Sequence, residues 1–83
     1  MPKQHIEGLI SQLHDKFAVS DTSPQQEALL AQLQSQLAEW EGPKPSDDFL
    51  TNAEMLLQEL EDEHPTLAAM IAEVINTLNR MGI

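Results

Sequence analysis

Apolar residues recur along this chain with the period of an amphipathic helix, most densely over the last twenty residues, 64–83. The apolar positions there are Leu67, Met70, Ile71, Val74, Ile75, Leu78 and Met81. At 100° per residue they cover an arc of about 160°, which is wide for a helix that packs against a single neighbour. The charged residues of the segment, Glu73 and Arg80, lie on the opposite face. The pattern predicts a helix near residues 65–81 at the centre of the core.

Three earlier segments carry narrower apolar stripes of about 100° to 120°, and they predict helices near residues 3–18, 24–41 and 46–63. The stripes are Ile6, Leu9, Ile10, Leu13 and Phe17; Leu29, Leu30, Leu33, Leu37 and Trp40; and Phe49, Leu50, Ala53, Leu56, Leu57 and Leu60. Strand-like alternation does not occur. The chain is therefore predicted to be all-α, a single helical domain over residues 1–83 built as a small bundle of four amphipathic helices.

Two helix boundaries are marked by residue types that favour particular caps. Ser23 is followed by Pro24 and Gln26, an arrangement that predicts a capping box with proline at the first helical position of the second helix. Pro65 suits the first position of the fourth helix, and Gly82 suits a left-handed cap at its end. Start and stop signals thus agree with the apolar pattern.

The junction between the third and fourth helices has two interpretations. Pro65 disfavours the helical conformation at His64, and the acidic run 61–63 suits the start of a following helix better than the end of a preceding one, so a break fits. Leu60 and Leu67, however, keep one heptad phase across the junction, as a single proline-kinked helix would. The sequence leaves both interpretations open.

Charge limits the classes of partner. With 4 basic and 14 acidic residues, the net charge is -10, which repels nucleic-acid phosphates and anionic lipid. We therefore expect no nucleic acid and no membrane among the partners. The chain has no cysteine and no uninterrupted apolar run of the kind found in signal peptides or membrane spans. A cytoplasmic protein is the expectation.

The residues whose side chains could take part in catalysis or metal binding form no complete site. Glu61 and His64 make an E-x-x-H, the spacing that places two metal ligands on one helix face, but neither His5 nor His14 has a glutamate three residues before it. His14 and Asp15 are adjacent, and adjacent helical residues do not face each other. We predict no catalytic residue, no metal, no cofactor and no enzyme activity. The alternative is a small metal-binding or enzymatic protein that uses the Glu61/His64 junction.

The remaining candidates concern protein partners. Trp40 continues the stripe of the second helix, so it either closes the core or acts as an exposed anchor for a partner. The wide apolar arc of the fourth helix leaves part of its apolar surface without a partner in the bundle. A homodimer with a two-fold axis would bury that surface. Candidate contact residues are Trp40, Ile75 and Met81. The predicted function is a self-associating or protein-interaction module without catalysis.

The opening PKQHIEGLISQLH and the closing HPTLAAMIAEVINTLNRMGI resemble an uncharacterised bacterial family, domain of unknown function 4404. The most specific positions are Pro65, Thr66, Leu67, Met81, Gly82 and Ile83. The resemblance spans essentially the whole chain. It implies a small, acidic, helical, free-standing cytoplasmic protein, and it brings no activity, ligand or site with it.

Overall fold

The structure, a computed structural model, describes residues 2–83 and contains four α-helices. They are α1 (Pro2–Phe17), α2 (Pro24–Ala38), α3 (Asp47–Leu60) and α4 (Pro65–Arg80). Strands are absent from this described range. The prediction of an all-α bundle of four helices is confirmed.

Viewed along the bundle axis, the four helices lie at the corners of a square. Each packs against its neighbours in sequence, α1 also packs against α4, and the diagonal pairs of these described helices make no close contact. His64 Nε2 lies 2.9 Å from the carbonyl oxygen of Asp21, which brings the α1–α2 and α3–α4 loops to one end of the bundle. Lys3 Nζ donates to the carbonyl oxygen of Trp40 at 3.0 Å at the other end. The topology is therefore up-down-up-down, in a body of 35 × 20 × 19 Å.

The core is formed by the apolar stripes of all four helices. The largest fully buried side chains are Ile6, Leu13, Leu33, Phe49, Leu56, Leu60, Ile71, Val74 and Leu78. Three of them come from α4, which packs against both α1 and α3. The wide apolar arc of this helix includes Met70, Ile75 and Met81, which are half-buried and pack against the core.

The predicted capping box forms at the start of α2. The Gln26 N–H donates to Ser23 Oγ at 3.1 Å, and the Ser23 N–H donates to Gln26 Oε1 at 2.9 Å. Pro24 occupies the first helical position. These bonds satisfy backbone donors that have no partner within the helix.

The predicted C-terminal cap of α4 also forms. Gly82 has φ +85°, a left-handed conformation that suits a residue without Cβ. Its N–H donates to the Asn79 carbonyl at 3.0 Å, and the Ile83 N–H donates to the Leu78 carbonyl at 3.1 Å. The pair of bonds defines a Schellman motif, which ends the helix at Arg80.

Two predicted boundaries were wrong by a few residues. The second helix was expected to reach residue 41, but α2 ends at Ala38, and the Trp40 N–H donates to the Leu37 carbonyl, three residues back, in a tighter turn. The third was expected over 46–63, whereas α3 spans Asp47–Leu60. Ser46 occupies its N-cap position, although its side chain makes no capping hydrogen bond.

The chain breaks between α3 and α4. After Leu60 it turns through residues 61–63, and His64 has φ -133° and ψ 65°, outside the helical region. This conformation agrees with the restriction that Pro65 places on the residue before it. The alternative of one proline-kinked helix does not describe this junction, because α3 and α4 are separate antiparallel neighbours.

The position of Ile71 predicts that a charge there unfolds the protein. Ile71 is 0% exposed, so the carboxylate of Ile71→Asp would lose its water without gaining a partner. The matched control is Ala69→Asp, two residues away on the exposed side of α4. We expect Ile71→Asp to lose its helical circular dichroism and Ala69→Asp to melt within a few degrees of the wild type. Equal melting temperatures for both variants would contradict the core assignment.

Candidate functional site

Glu61 and His64, the candidate E-x-x-H pair, lie at the junction between α3 and α4. The two residues lie in a turn rather than on one helix face, because α3 ends at Leu60. His64 Nε2 donates to the Asp21 carbonyl, so this nitrogen already has a partner. Within residues 2–83, no three or more side chains of His, Asp or Glu come together in a geometry that could hold a metal ion. The hydrogen bond between His64 and Asp21 instead joins the α3–α4 loop to the α1–α2 loop.

A cluster that the sequence did not predict joins α1 to α4. His5 Nε2 lies 3.2 Å from Glu73 Oε2, and Arg80 Nη2 donates to the same oxygen at 3.0 Å. Arg80 also donates to Thr77 Oγ1 at 3.1 Å. The hydrogen bond with His5, followed by that with Arg80, lowers the pKa of Glu73 from its ordinary value of 4.5. His5 and Arg80 are exposed and Glu73 is partly exposed, so the cluster is a network of ion pairs at the surface.

His14 faces α2 and not Asp15. Gln34 Nε2 donates to His14 Nδ1 at 3.1 Å, which joins the two helices across the surface. Adjoining cavities of about 320 and 450 Å³ lie on either side of this bond. His14 and Gln34 line both cavities, and the hydrogen bond between these two side chains separates one cavity from the other. Sequence reasoning missed these cavities.

Trp40 is a core residue in the structure. Its side chain is 4% exposed, and its ring meets that of Phe49 edge to face with centroids 6.0 Å apart. The indole N–H donates to the Gly42 carbonyl at 3.3 Å, and Lys3 Nζ lies 5.7 Å from the ring centroid. The other candidate contacts, Ile75 and Met81, are half-buried and pack against the core. The structure does not bring the three residues together at one surface.

The outer face of α4 carries small and neutral side chains. We define it by Ala69, Ala72, Ile75, Asn76 and Asn79, of which the alanine at 69 and both asparagines are exposed and the other two are half-buried. The large hydrophobic residues left exposed within the described part of the chain lie elsewhere, on the α1–α2 loop and on α3. The expected apolar flank is thus smaller than its arc indicated, because α1 and α3 cover most of it.

Three buried polar residues were not identified as such from the sequence: Gln26, Asn52 and Thr77. The Gln26 amide donates to the Glu59 carbonyl at 2.9 Å, and the Asn52 amide donates to Gln36 Oε1 at 3.1 Å. Both bonds join α2 to α3. A polar residue inside an apolar stripe, such as Asn52 beside Ala53, was the available signal for a buried hydrogen bond.

A family model for a domain of unknown function, DUF4404, matches residues 3–83. The chain belongs to the DUF4404 family. No curated protein and no solved structure matches it. None of the helices described over residues 2–83 has the length and apolar character needed to cross a membrane. Membership in DUF4404 assigns no activity, so the functional argument rests on the surfaces above.

Glu73 predicts a pH-dependent contribution to stability. A carboxyl whose pKa is lower in the folded chain stabilises the fold above its unfolded pKa, and this stabilisation is lost as pH falls through the folded value. Glu73→Gln should therefore be less stable than the wild type at neutral pH, and the difference should shrink below pH 4.5. Urea unfolding midpoints at several pH values measure it. The control Glu54→Gln, on the exposed side of α3, should show no such trend, and a pH-independent difference for Glu73→Gln would exclude this origin.

The turn at Glu61 and His64 predicts that no transition metal is bound in stoichiometric amount. The motif lacks a shared helix face, and the His64 nitrogen is engaged with Asp21. Elemental analysis of protein purified without chelator or affinity tag is the measurement. One equivalent of metal in the wild type that disappears in His64→Gln, but not in the control His5→Gln, would contradict the prediction.

Proposed function

We propose that this protein is a non-catalytic interaction module that self-associates as a homodimer through the outer face of α4. The observation that carries the proposal is the low net charge on this face, where the only charged neighbours of Ala69 and Asn76 on α4 are the mutually paired Glu73 and Arg80, in a chain with 4 basic and 14 acidic residues. The charged residues of α4, Glu73 and Arg80, pair with each other on the side turned toward α1. A cytoplasmic location belongs to the same proposal.

Electrostatics favours contact between copies at α4 over contact at α3. A two-fold axis places each residue near the axis against or beside its own copy. On the outer face of α4 those residues are Ala69, Ala72 and Asn76, and the neighbouring Glu73 is paired with Arg80. The exposed side of α3 carries Glu54 and Glu59, so the same arrangement there would bring carboxylates together.

The size of the bundle is compatible with a stable dimer. A long side of 35 by 20 Å measures about 700 Å², so two copies could bury at most about 1,400 Å², which lies within the range of specific interfaces. Ile75 lies half-buried at the edge of this side and supplies apolar area. The net charge of -10 per chain opposes association, but separated surface charges are screened at physiological salt. A dimer that tightens as salt rises follows from this balance.

The competing class, a small metal-binding or enzymatic protein, has no observation that favours it. Its residues, Glu61 and His64, lie in a turn in which the imidazole is hydrogen-bonded to a backbone carbonyl. The Nδ1 atom of His14 contacts the amide of Gln34 and not a carboxylate. The interaction module is the better-supported proposal.

The test introduces charge on the proposed interface. The double variant Ala69→Glu with Asn76→Asp adds two negative charges to the outer face of α4, and each would face its own copy across the axis. The control Ala28→Glu with Gln32→Glu adds the same charge at exposed positions of α2. In sedimentation equilibrium at micromolar concentration, we expect dimers for the wild type and the control, and monomers for the α4 variant. A wild-type species of 9.3 kDa at both low and high salt would overturn the proposal.

A further inference from the structure

Helix α1 is the least closely packed helix of the bundle. Of the four neighbouring pairs, the two that involve α1 pack less closely than α2 with α3 or α3 with α4. α1 spans the gap between α2 and α4, which make no close contact with each other over their described residues, whereas α3 contacts both of them. When α1 moves away, α2, α3 and α4 therefore keep the two closest contacts of the fold.

The polar contacts of α1 lie at or near the surface. His5 reaches α4 and His14 reaches α2 through hydrogen bonds that are exposed to solvent. The bond of Lys3 to the α2–α3 loop is partly buried. Two bonds between α2 and α3, by contrast, use the side chains of Gln26 and Asn52, each 8% exposed. Because water competes for exposed hydrogen bonds and ion pairs, the polar contacts of α1 contribute little to holding it in place.

The first turn of α1 is electrostatically unfavourable. It contains Lys3 and His5 and no acidic residue. A cation such as Lys3 is disfavoured near the positive end of the helix dipole. α3 begins instead with Asp47 and Asp48, which complement that end. The sequence of α1 therefore stabilises its own helix less than the sequence of α3 does.

Gly8 weakens α1 further. Glycine inside a helix is less favourable than alanine, because it loses more backbone freedom when the helix forms. The fold does not require glycine at this position, since its φ is not positive and an added Cβ would meet no atom within 4 Å. The weakness of α1 at Gly8 thus comes from the sequence and not from a packing constraint.

Apolar burial holds α1 closed against these weaknesses. Ile6, Ile10, Leu13 and Phe17 are at most 8% exposed and belong to the core. Detachment of α1 exposes them to water, so the closed form dominates. Segments with the fewest packing contacts and the most exposed hydrogen bonds open most often in native proteins, and α1 has both properties.

We propose that α1 is a lid, which detaches as one unit from the gap between α2 and α4 and returns while α2, α3 and α4 remain packed. Gly8 sets how often the lid opens. His64 holds the carbonyl of Asp21, so the hinge lies before this residue, at residues 18–20, where Val19 is 87% exposed. This inference does not depend on self-association through α4.

Native-state hydrogen exchange of the full chain, followed for each amide by NMR, measures the opening. We expect protection factors for residues 6–17 that share one value and are lower by about tenfold or more than those of the most protected amides of α3 and α4. Exchange of residues 6–17 should also depend less on urea, because opening of the lid exposes less surface than global unfolding. It should not depend on protein concentration, because the opening is unimolecular.

The variant Gly8→Ala tests whether the helical stability of α1 controls the lid. We expect it to slow the exchange of residues 6–17 by about threefold, the effect of replacing glycine by alanine in a helix interior. The control Thr51→Ala places a better helix former at an exposed position of α3. It should raise the protection of the α3 and α4 amides and leave the exchange of residues 6–17 unchanged, because α3 stays folded in the open form.

Four outcomes overturn the proposal. They are equal protection and urea dependence in all four helices, a gradient of protection along α1 that indicates fraying, exchange of α2 together with α1, or equal slowing of residues 6–17 by both variants. Protection of α1 that rises with protein concentration would assign its cover to a second copy and would also overturn the proposal. Because the dimer test has its own readout in sedimentation, failure of one proposal is distinguishable from failure of the other.

Discussion

The bundle depends on the burial of α4 against two neighbours. Ile71, Val74 and Leu78 are each 0% exposed, and the helix that carries them packs against both α3 and α1. The contact of α4 with α1 completes the square of helices. Without it, α1 would pack against α2 alone, and these two helices pack least closely of the neighbouring pairs. A chain of this size buries only about 60–65% of its unfolded surface, so a helix with two buried sides contributes a large share of the core.

Hydrogen bonds between distant segments fix the helices against sliding. At one end, Gln26 donates to the Glu59 carbonyl and His64 to the Asp21 carbonyl. At the other end, Lys3 donates to the Trp40 carbonyl. Apolar packing alone has little directional preference, whereas a hydrogen bond requires a definite distance and angle. The core thus supplies most of the attraction, and these bonds define the relative heights of the helices.

Charge is distributed unevenly over the surface, and this distribution bears on the proposed dimer interface. α2 contains one charged residue, Glu27, and α4 contains the mutually paired Glu73 and Arg80. The other charges lie on α1, on α3 and in the loops. A face of low net charge would meet its own copy with less repulsion than an acidic face.

The sequence determined the local features of this fold. Helix number, the residues of each apolar stripe, the Ser23–Gln26 capping box and the Gly82 cap follow from residues within one or two turns of each other. The break before Pro65 was one of two interpretations that the sequence allowed, because the heptad phase of Leu60 and Leu67 continues through it.

Only the tertiary structure decided which distant residues meet. Trp40 lies in the core because Phe49 and Lys3 surround it, although its place in the sequence also allowed an exposed anchor. The contact of His64 with Asp21 and the cavity beside His14 depend on the separation of helices that are distant in sequence. Side-chain spacing along one helix carries no information about that separation, which is set by the packing of the whole core.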